Sequence, residues 1–166
     1  MALCAALGMG CGYHLVHGSQ DPEGPFRVEG GEAKTPYATA MAAAEQGAET
    51  ELARAGALAA GAETVMVVEI LRIDEISEAM AASGDALEPV PRARALRVTV
   101  TGRATLKRHG AIVRDTRDMR AAEVIAAATS PTAAILAREE AAVRASRRLG
   151  EQLARRLLGY PAPSEP

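Results

Sequence analysis

The chain has 166 residues and a mass of 17.2 kDa, which suggests one domain of ordinary size. Its formal net charge of −2 and its isoelectric point of about 6.0 argue against a general nucleic-acid binder. Its two cysteines are too few for a disulfide framework and form no Cys-x-x-Cys pair of the kind that binds zinc. No apolar stretch reaches the ~18–20 residues that a membrane-spanning helix needs.

The first apolar run of the chain ends at a cysteine. In Leu7-Gly8-Met9-Gly10-Cys11 a small residue precedes the cysteine, as in the box that ends a lipoprotein signal. The Cys11 thiol would accept diacylglycerol and its freed amine a further chain such as palmitate, and each buried CH₂ contributes about 0.8 kcal/mol to anchoring. However, Leu7 lies one position further upstream than is usual, and no Lys or Arg precedes the run. The alternative is therefore a frayed apolar terminus at 1–17, with Cys11 as a small hydrophobe.

Lipidation at Cys11 would divide the chain into four parts. We predict a signal-peptide remnant at 1–10, a lipid-anchor tether at 11–25, a folded α+β domain at 26–159 and a flexible tail at 160–166. The tether includes the sequence GSQDPEGP, whose Gly and Pro residues are typical of turns and linkers.

The first half of the folded part predicts a strand and a helix. Phe26–Glu29 alternates apolar and charged residues, which predicts a short strand that Gly30-Gly31 ends. Thr35 can serve as the N-cap of an Ala/Glu-rich helix with Pro36 in its first turn, and Gly56 or Gly61 can end that helix.

Two further strands follow, and the second carries the clearest pattern in the chain. Glu63–Glu75 is strongly apolar and β-branched, which predicts a buried strand, and Ser77–Pro91 predicts a long loop. From Leu96 to Lys107 apolar or small residues alternate strictly with Arg, Thr and Lys. This alternation predicts a strand with one apolar face and one wet, basic face.

A hairpin and a helix complete the chain. His109-Gly110 predicts a tight turn, and the charged stretch from about Ala111 to Arg120 predicts an exposed return strand. Ser130-Pro131-Thr132 then opens an amphipathic, Arg-rich helix that ends near Gly159. The order β-α-β-β-β-α predicts an α+β two-layer sandwich, in which one four-stranded mixed sheet carries two helices on one face.

The sequence shows no catalytic constellation and no cofactor or metal motif, so we expect a protein that is not an enzyme. His14 and His17 lack a nearby carboxylate or cysteine, which argues against a metal site there. The basic strand face, with Lys107 and the adjacent Arg108, could meet phosphates or sugar acids. The alternative is an ordinary solvated face balanced by Asp and Glu.

With its elements in this order, the chain resembles the LptE family of outer-membrane lipoproteins, which assist lipopolysaccharide (LPS) assembly. The resemblance rests on Cys11-Gly12-Tyr13, on Thr35-Pro36-Tyr37 before an Ala/Glu helix, and on the long alternating strand and hairpin before an Arg-rich helix. It implies a lipid-anchored protein on the periplasmic side of the outer membrane that plugs the LPS-inserting β-barrel LptD and contacts LPS during its delivery.

The resemblance also implies particular LPS contacts. The family has a basic residue at the beginning of the last helix in an Ala-Lys-Asp-like setting, and Ala137-Arg138-Glu139 matches it, which makes Arg138 the first candidate. The family's second contact lies near the turn between strands two and three, where Arg92 and Arg94 are the nearest basic residues. Lys107 and Arg108 are further candidates from the basic face. The alternative function is a periplasm-facing accessory lipoprotein of a transporter or a cell-wall synthase.

Overall fold

The computed structural model describes residues 24–80, 93–126 and 130–160. In these residues the elements follow the predicted order, except that the last strand is divided in two. The bounds are β1 (Phe26–Ala33), α1 (Ala38–Arg54), β2 (Thr64–Met80), β3 (Ala93–Arg108), β4 (Ala111–Asp115), β5 (Met119–Ala126) and α2 (Pro131–Leu157). Strand β1 is parallel to β2, β2 is antiparallel to β3, and both β4 and β5 are antiparallel to β3. The predicted α+β class, with two helices on a mixed, open sheet, is confirmed.

The return strand is interrupted at residues 116–118, where a single strand was expected. The Thr116 backbone N–H donates to the Ala104 carbonyl at 3.0 Å, and its Oγ1 accepts from the Ala104 N–H at 2.9 Å. Arg117 then adopts a φ of 61°, which turns the chain out of the ladder. Because a side-chain hydroxyl replaces a backbone acceptor here, β5 can resume pairing with β3 and continue to Ala126.

Some ends of the other helices and strands also differ from the predicted ones. Thr35 lies before α1, where its Oγ1 accepts from the Tyr37 N–H at 3.0 Å, so it is not the N-cap. Gly56, with a φ of 68°, follows the end of α1 as predicted. Strand β1 continues through Gly30-Gly31, and β2 continues to Met80 because its partner β3 already begins at Ala93. Residues 77–80, which were predicted to lie in a loop, therefore belong to β2, and the rest of the predicted loop lies outside the described residues.

The two helices pack through rows of small residues. The row on α1 consists of three fully buried alanines, Ala40, Ala44 and Ala48. The row on α2 consists of the buried residues Ala142, Ser146, Gly150 and Ala154. A Cβ atom on Gly150 would overlap the Ala44 carbonyl oxygen, so the two backbones are in direct contact there. The small residues on these two helices therefore allow a close helix–helix contact.

The aliphatic core lies between this helix pair and the sheet. It is formed by side chains with 2% exposure or less from both layers, among them Met66, Val68, Ile70, Val100, Leu106, Leu149 and Leu153. On the opposite side of β3, Thr101 and Thr105 are only 4% and 6% exposed, so the predicted wet face is wrong at its centre. No described helix covers that side, where Thr101 pairs in the sheet with Arg72 and Arg120. On the same face Arg103 and Glu69 form an ion pair at 2.7 Å.

Helix α2 extends past the start of α1. The helices are parallel, since Gln46 bonds Arg147 and Glu51 bonds Arg155. Gly47 lies against Arg147, so the first residue of α1, nine positions earlier, is level with about residue 138. Residues 131–137 of α2 therefore lie beyond α1.

Candidate functional site

The extension of α2 lies at one end of the sheet, which we call the projecting end. It comprises residues 75–80 of β2, 93–96 of β3, 124–126 of β5 and 131–140 of α2. The buried stripe of α2, which includes Ala142 and Ala145, continues seven residues earlier at Ile135 and Arg138. Because α1 does not reach this far, Ile135 is 62% exposed although it lies on the core-facing stripe.

Arg138 is held at the projecting end by a three-residue network. Its Nε lies 3.4 Å from Oε2 of Glu75 on β2, and Oε1 of Glu75 accepts a hydrogen bond from the Tyr37 hydroxyl. The Arg138 Nε is buried and makes no well-aligned hydrogen bond, so the contact with Glu75 is mainly Coulombic. The Arg138 side chain as a whole remains 43% exposed. The network joins α1, β2 and α2 and still presents a cation to solvent.

The environment of Tyr37 keeps it a hydrogen-bond donor. Burial, the hydrogen bond to Glu75 and the charge of Glu75 together raise the pKa of Tyr37 from 10.0 to about 12, and the nearby Arg138 opposes this shift. Below that pH the phenol stays protonated and orients the Glu75 carboxylate toward Arg138.

Exposed aliphatic side chains lie at the projecting end on both faces of the sheet. Ile135 and Leu136 are 62% and 57% exposed on α2, and Ile76 and Val124 are 55% and 47% exposed on the sheet. In register, Ile76 and Val124 flank Arg97 on the face that points away from the helices. The projecting end therefore combines apolar surface with positive charge, which suits an amphiphilic anion.

The structure divides the predicted contacts between the two ends of the sheet. The backbone of Arg94 on β3 pairs with that of Ala79 on β2, which brings position 94 to the same end as Arg138. Lys107 and Arg108 lie at the opposite end of β3, roughly 43 Å from position 94 for thirteen residues at about 3.3 Å each. There the Nε of Arg108 donates to Thr64 Oγ1 at 3.3 Å. Cys11 and Arg92 lie outside the described residues.

Sequence reasoning missed Glu75, because a bulge changes the face on which it lies. Ile70 pairs with Gly102 and Arg72 with Thr101, so Leu71 is an extra residue in β2. With regular alternation Glu75 would share the far face with Arg97, whereas it actually pairs with Val98 on the helix side. Tyr37 was noted only as part of a motif, and nothing in the sequence linked it to Glu75.

The described residues contain neither a candidate membrane-spanning helix nor a candidate metal cluster. None of the helices there combines the length and hydrophobicity that crossing a membrane requires. His, Cys, Asp and Glu side chains form no cluster of three that could hold a metal ion within residues 24–80, 93–126 and 130–160.

Comparison with solved structures relates this fold to bacterial lipoproteins. The minor lipoprotein of Acinetobacter baumannii matches with a TM-score of 0.51 at 14% identity, over 81% of this chain and 92% of that one. A Caulobacter crescentus protein described as a lipoprotein matches at 0.43 and 22% identity, over 81% and 90% of the two chains. Rare lipoprotein B of Shewanella oneidensis matches at 0.38 and 10% identity, over 81% and 91%.

Comparisons with protein-family models and with curated protein sequences find no match. Among the structures above, the Acinetobacter protein has a TM-score over 0.5, and at 14% identity its likeness concerns the fold alone. The chain therefore has the α+β fold of a solved bacterial lipoprotein.

Proposed function

We propose that the protein is a lipid-anchored outer-membrane protein that faces the periplasm and assists LPS delivery. Cys11 carries the lipid, the folded domain binds inside an LptD-like β-barrel, and the projecting end contacts LPS. The protein acts by binding and carries out no catalysis.

The observation that supports this proposal is the chemistry of the projecting end. LPS carries phosphates next to acyl chains, so a protein that contacts it needs a cation beside apolar surface. Arg138 supplies a guanidinium, which binds phosphate through charge-assisted hydrogen bonds. Ile135 and Leu136, both more than half exposed, supply the apolar surface a short distance along the same helix. The barrel partner is proposed from the LptE resemblance and from the shared fold.

The LPS contact is tested with Arg138→Gln in the full-length chain. We expect its affinity for phosphatidylcholine vesicles that contain LPS to fall about tenfold, because one charged hydrogen bond contributes about 1.5–3 kcal/mol. Arg147→Gln is the matched control, since Arg147 is exposed on the same helix and bonds only the neutral Gln46 among the contacts described. Equal losses in both variants, or no loss in either, would contradict the proposed contact.

The anchor and the partner are tested in cells. Cys11→Ser should release the protein from the outer membrane and leave its precursor uncleaved. Affinity purification of the unaltered chain from outer membranes should recover a large β-barrel, identified by mass spectrometry. Recovery of a transporter or a cell-wall synthase instead would favour the accessory-lipoprotein alternative and reject the proposed role.

A further inference from the structure

The hairpin end of the domain, opposite the projecting end, contains a cleft that the proposed function does not use. It has a volume of about 410 Å³ and lies between β4 and the last turn of α2. Its lining includes Arg114 and Thr116 from one side and Arg156, Leu157 and Tyr160 from the other. This volume is within the ~300–1,000 Å³ range of small-molecule sites.

The hydrogen-bond acceptors at the helix side of this cleft are already occupied. The Ala154, Arg155 and Arg156 carbonyls accept from the N–H groups of the three residues that follow α2. The Leu157 carbonyl accepts from Nη1 of Arg114 at 2.6 Å. A ligand that donates hydrogen bonds would therefore find few acceptors at this helix terminus.

Thr116 is also fully used. Its Oγ1 accepts from the Ala104 N–H and donates to the Arg117 carbonyl, each at 2.9 Å. Within the described residues, the groups left to bind a ligand are thus mainly the guanidinium N–H donors of Arg114 and Arg156.

The charge of the cleft is positive on balance. Asp115 also lines it, but this residue lies opposite Thr105 on the far face of the sheet, where its charge acts on Arg103. One oxygen of Asp115 already accepts from the Arg117 N–H at 2.7 Å. Arg114, in contrast, bonds a neutral carbonyl, and no carboxylate of the described residues forms an ion pair with Arg156.

A helix C-terminus attracts cations on electrostatic grounds alone, which would explain Arg156. It does not explain the cleft or the position of Arg114. Arg114 comes from β4, and its bond to Leu157 fixes the guanidinium with its remaining N–H donors available. A fixed guanidinium loses little side-chain entropy when it binds a planar or tetrahedral anion.

We propose that this cleft binds a phosphate monoester, with Arg114 and Arg156 as its two ligand-binding residues. The phosphate would take bidentate hydrogen bonds from the guanidinium groups, and the remaining volume would hold the group that the phosphate carries. That group is either a sugar or the glycerol of a membrane lipid. The proposal is independent of LPS binding, because the cleft and Arg138 lie at opposite ends of the domain.

The test is calorimetric titration of the full-length chain at low salt with glucose 1-phosphate, and separately with phosphatidylcholine vesicles that contain phosphatidic acid. We expect saturable binding of at least one probe and a tenfold or larger loss in Arg156→Gln. Arg120→Gln is the control, because Arg120 is exposed on β5 and does not line the cleft. Arg114→Lys keeps the positive charge but removes the planar guanidinium that gives two parallel hydrogen bonds, so it should weaken binding several-fold. Circular dichroism of this variant should show an unchanged fold.

Binding of glucose 1-phosphate would identify a soluble sugar phosphate, and binding of the vesicles alone would identify a lipid head group. Either result supports the proposal if Arg156→Gln abolishes or weakens it. No saturable signal with either probe up to about 10 mM, or equal losses in Arg156→Gln and Arg120→Gln, would overturn it.

Discussion

Leu149 and Ile135 lie fourteen residues apart on the same stripe of α2, yet Leu149 is fully buried and Ile135 is 62% exposed. Leu149 belongs to the body of the domain, where the sheet and α1 cover the stripe. Ile135 belongs to the projecting end, which lies beyond the start of α1. The contrast teaches that one continuous helical pattern serves packing at one end of α2 and leaves apolar surface for a ligand at the other.

The largest expected effect tests this contrast directly. Leu149→Ala should lower the free energy of unfolding by about 3 kcal/mol, because it leaves a cavity in the core. Ile135→Ala, at the equivalent position of the projecting end, should change it by less than about 0.5 kcal/mol. Urea unfolding followed by circular dichroism measures both values. Similar losses in the two variants would mean that the projecting end is packed as tightly as the body.

A somewhat smaller loss in the free energy of unfolding is expected at Gly150, where the backbones of α1 and α2 are in contact. Gly150→Ala should cost about 2 kcal/mol, because the new Cβ would overlap the Ala44 carbonyl and force the helices apart. Gly61→Ala is the control, since nothing lies within 4 Å of a Cβ atom there and its φ is not positive. A Gly150→Ala variant as stable as the control would show that the helix pair tolerates a wider spacing.

Tyr37→Phe probes the network that fastens the projecting end to the body. At neutral pH we expect a loss of about 1 kcal/mol, the usual contribution of one hydrogen bond. The pKa of Tyr37 is raised from 10.0 to about 12 in the folded protein, so its contribution is complete below pH 10 and is lost as the pH rises toward 12. Between pH 9 and 12 the free energy of unfolding should therefore fall less steeply with pH in the variant than in the unaltered chain. An unchanged alkaline slope would contradict this role of Tyr37.

The smallest effect is expected from Glu75→Gln, which removes the carboxylate that partly neutralises Arg138. The affinity of this variant for LPS-containing vesicles should increase a few-fold, because Arg138 no longer has to give up its contact with the Glu75 carboxylate when it binds a phosphate. Glu140→Gln, which removes an exposed acid from the same end of α2, controls for the general change in charge. If Glu75→Gln binds no better than Glu140→Gln, Glu75 has no specific effect on Arg138.

The sequence predicted most of the fold because its periodic signals were long. The alternation from Leu96 to Lys107 identified β3, Ser130 and Pro131 marked the start of α2, and His109-Gly110 marked the hairpin. The interrupted strand could not be predicted, because it depends on Thr116 bonding Ala104, twelve residues earlier in the chain. Local patterns do not reveal such a pairing.

The candidate site was less predictable than the fold. Arg138 was proposed from a resemblance, and the structure adds that Glu75 and Tyr37 hold it in place. The helix-side position of Glu75 depends on the extra residue Leu71, which resembles any other apolar residue of a strand. The exposure of Ile135 depends on where α1 begins relative to α2, and this follows from the contact between Gly47 and Arg147.

The position of Phe26 in the sheet has a consequence for the geometry of a tethered molecule. Phe26 pairs with Thr64, which itself pairs with Arg108, so the folded part begins at the hairpin end. From Thr64 to Met80, β2 spans roughly 53 Å at about 3.3 Å per residue. In the proposed anchored state the tether would thus join the domain at the end that contains the cleft, and Arg138 would lie at the opposite end of the sheet. Shortening the tether would then restrict the movement of the cleft before it restricts the movement of Arg138.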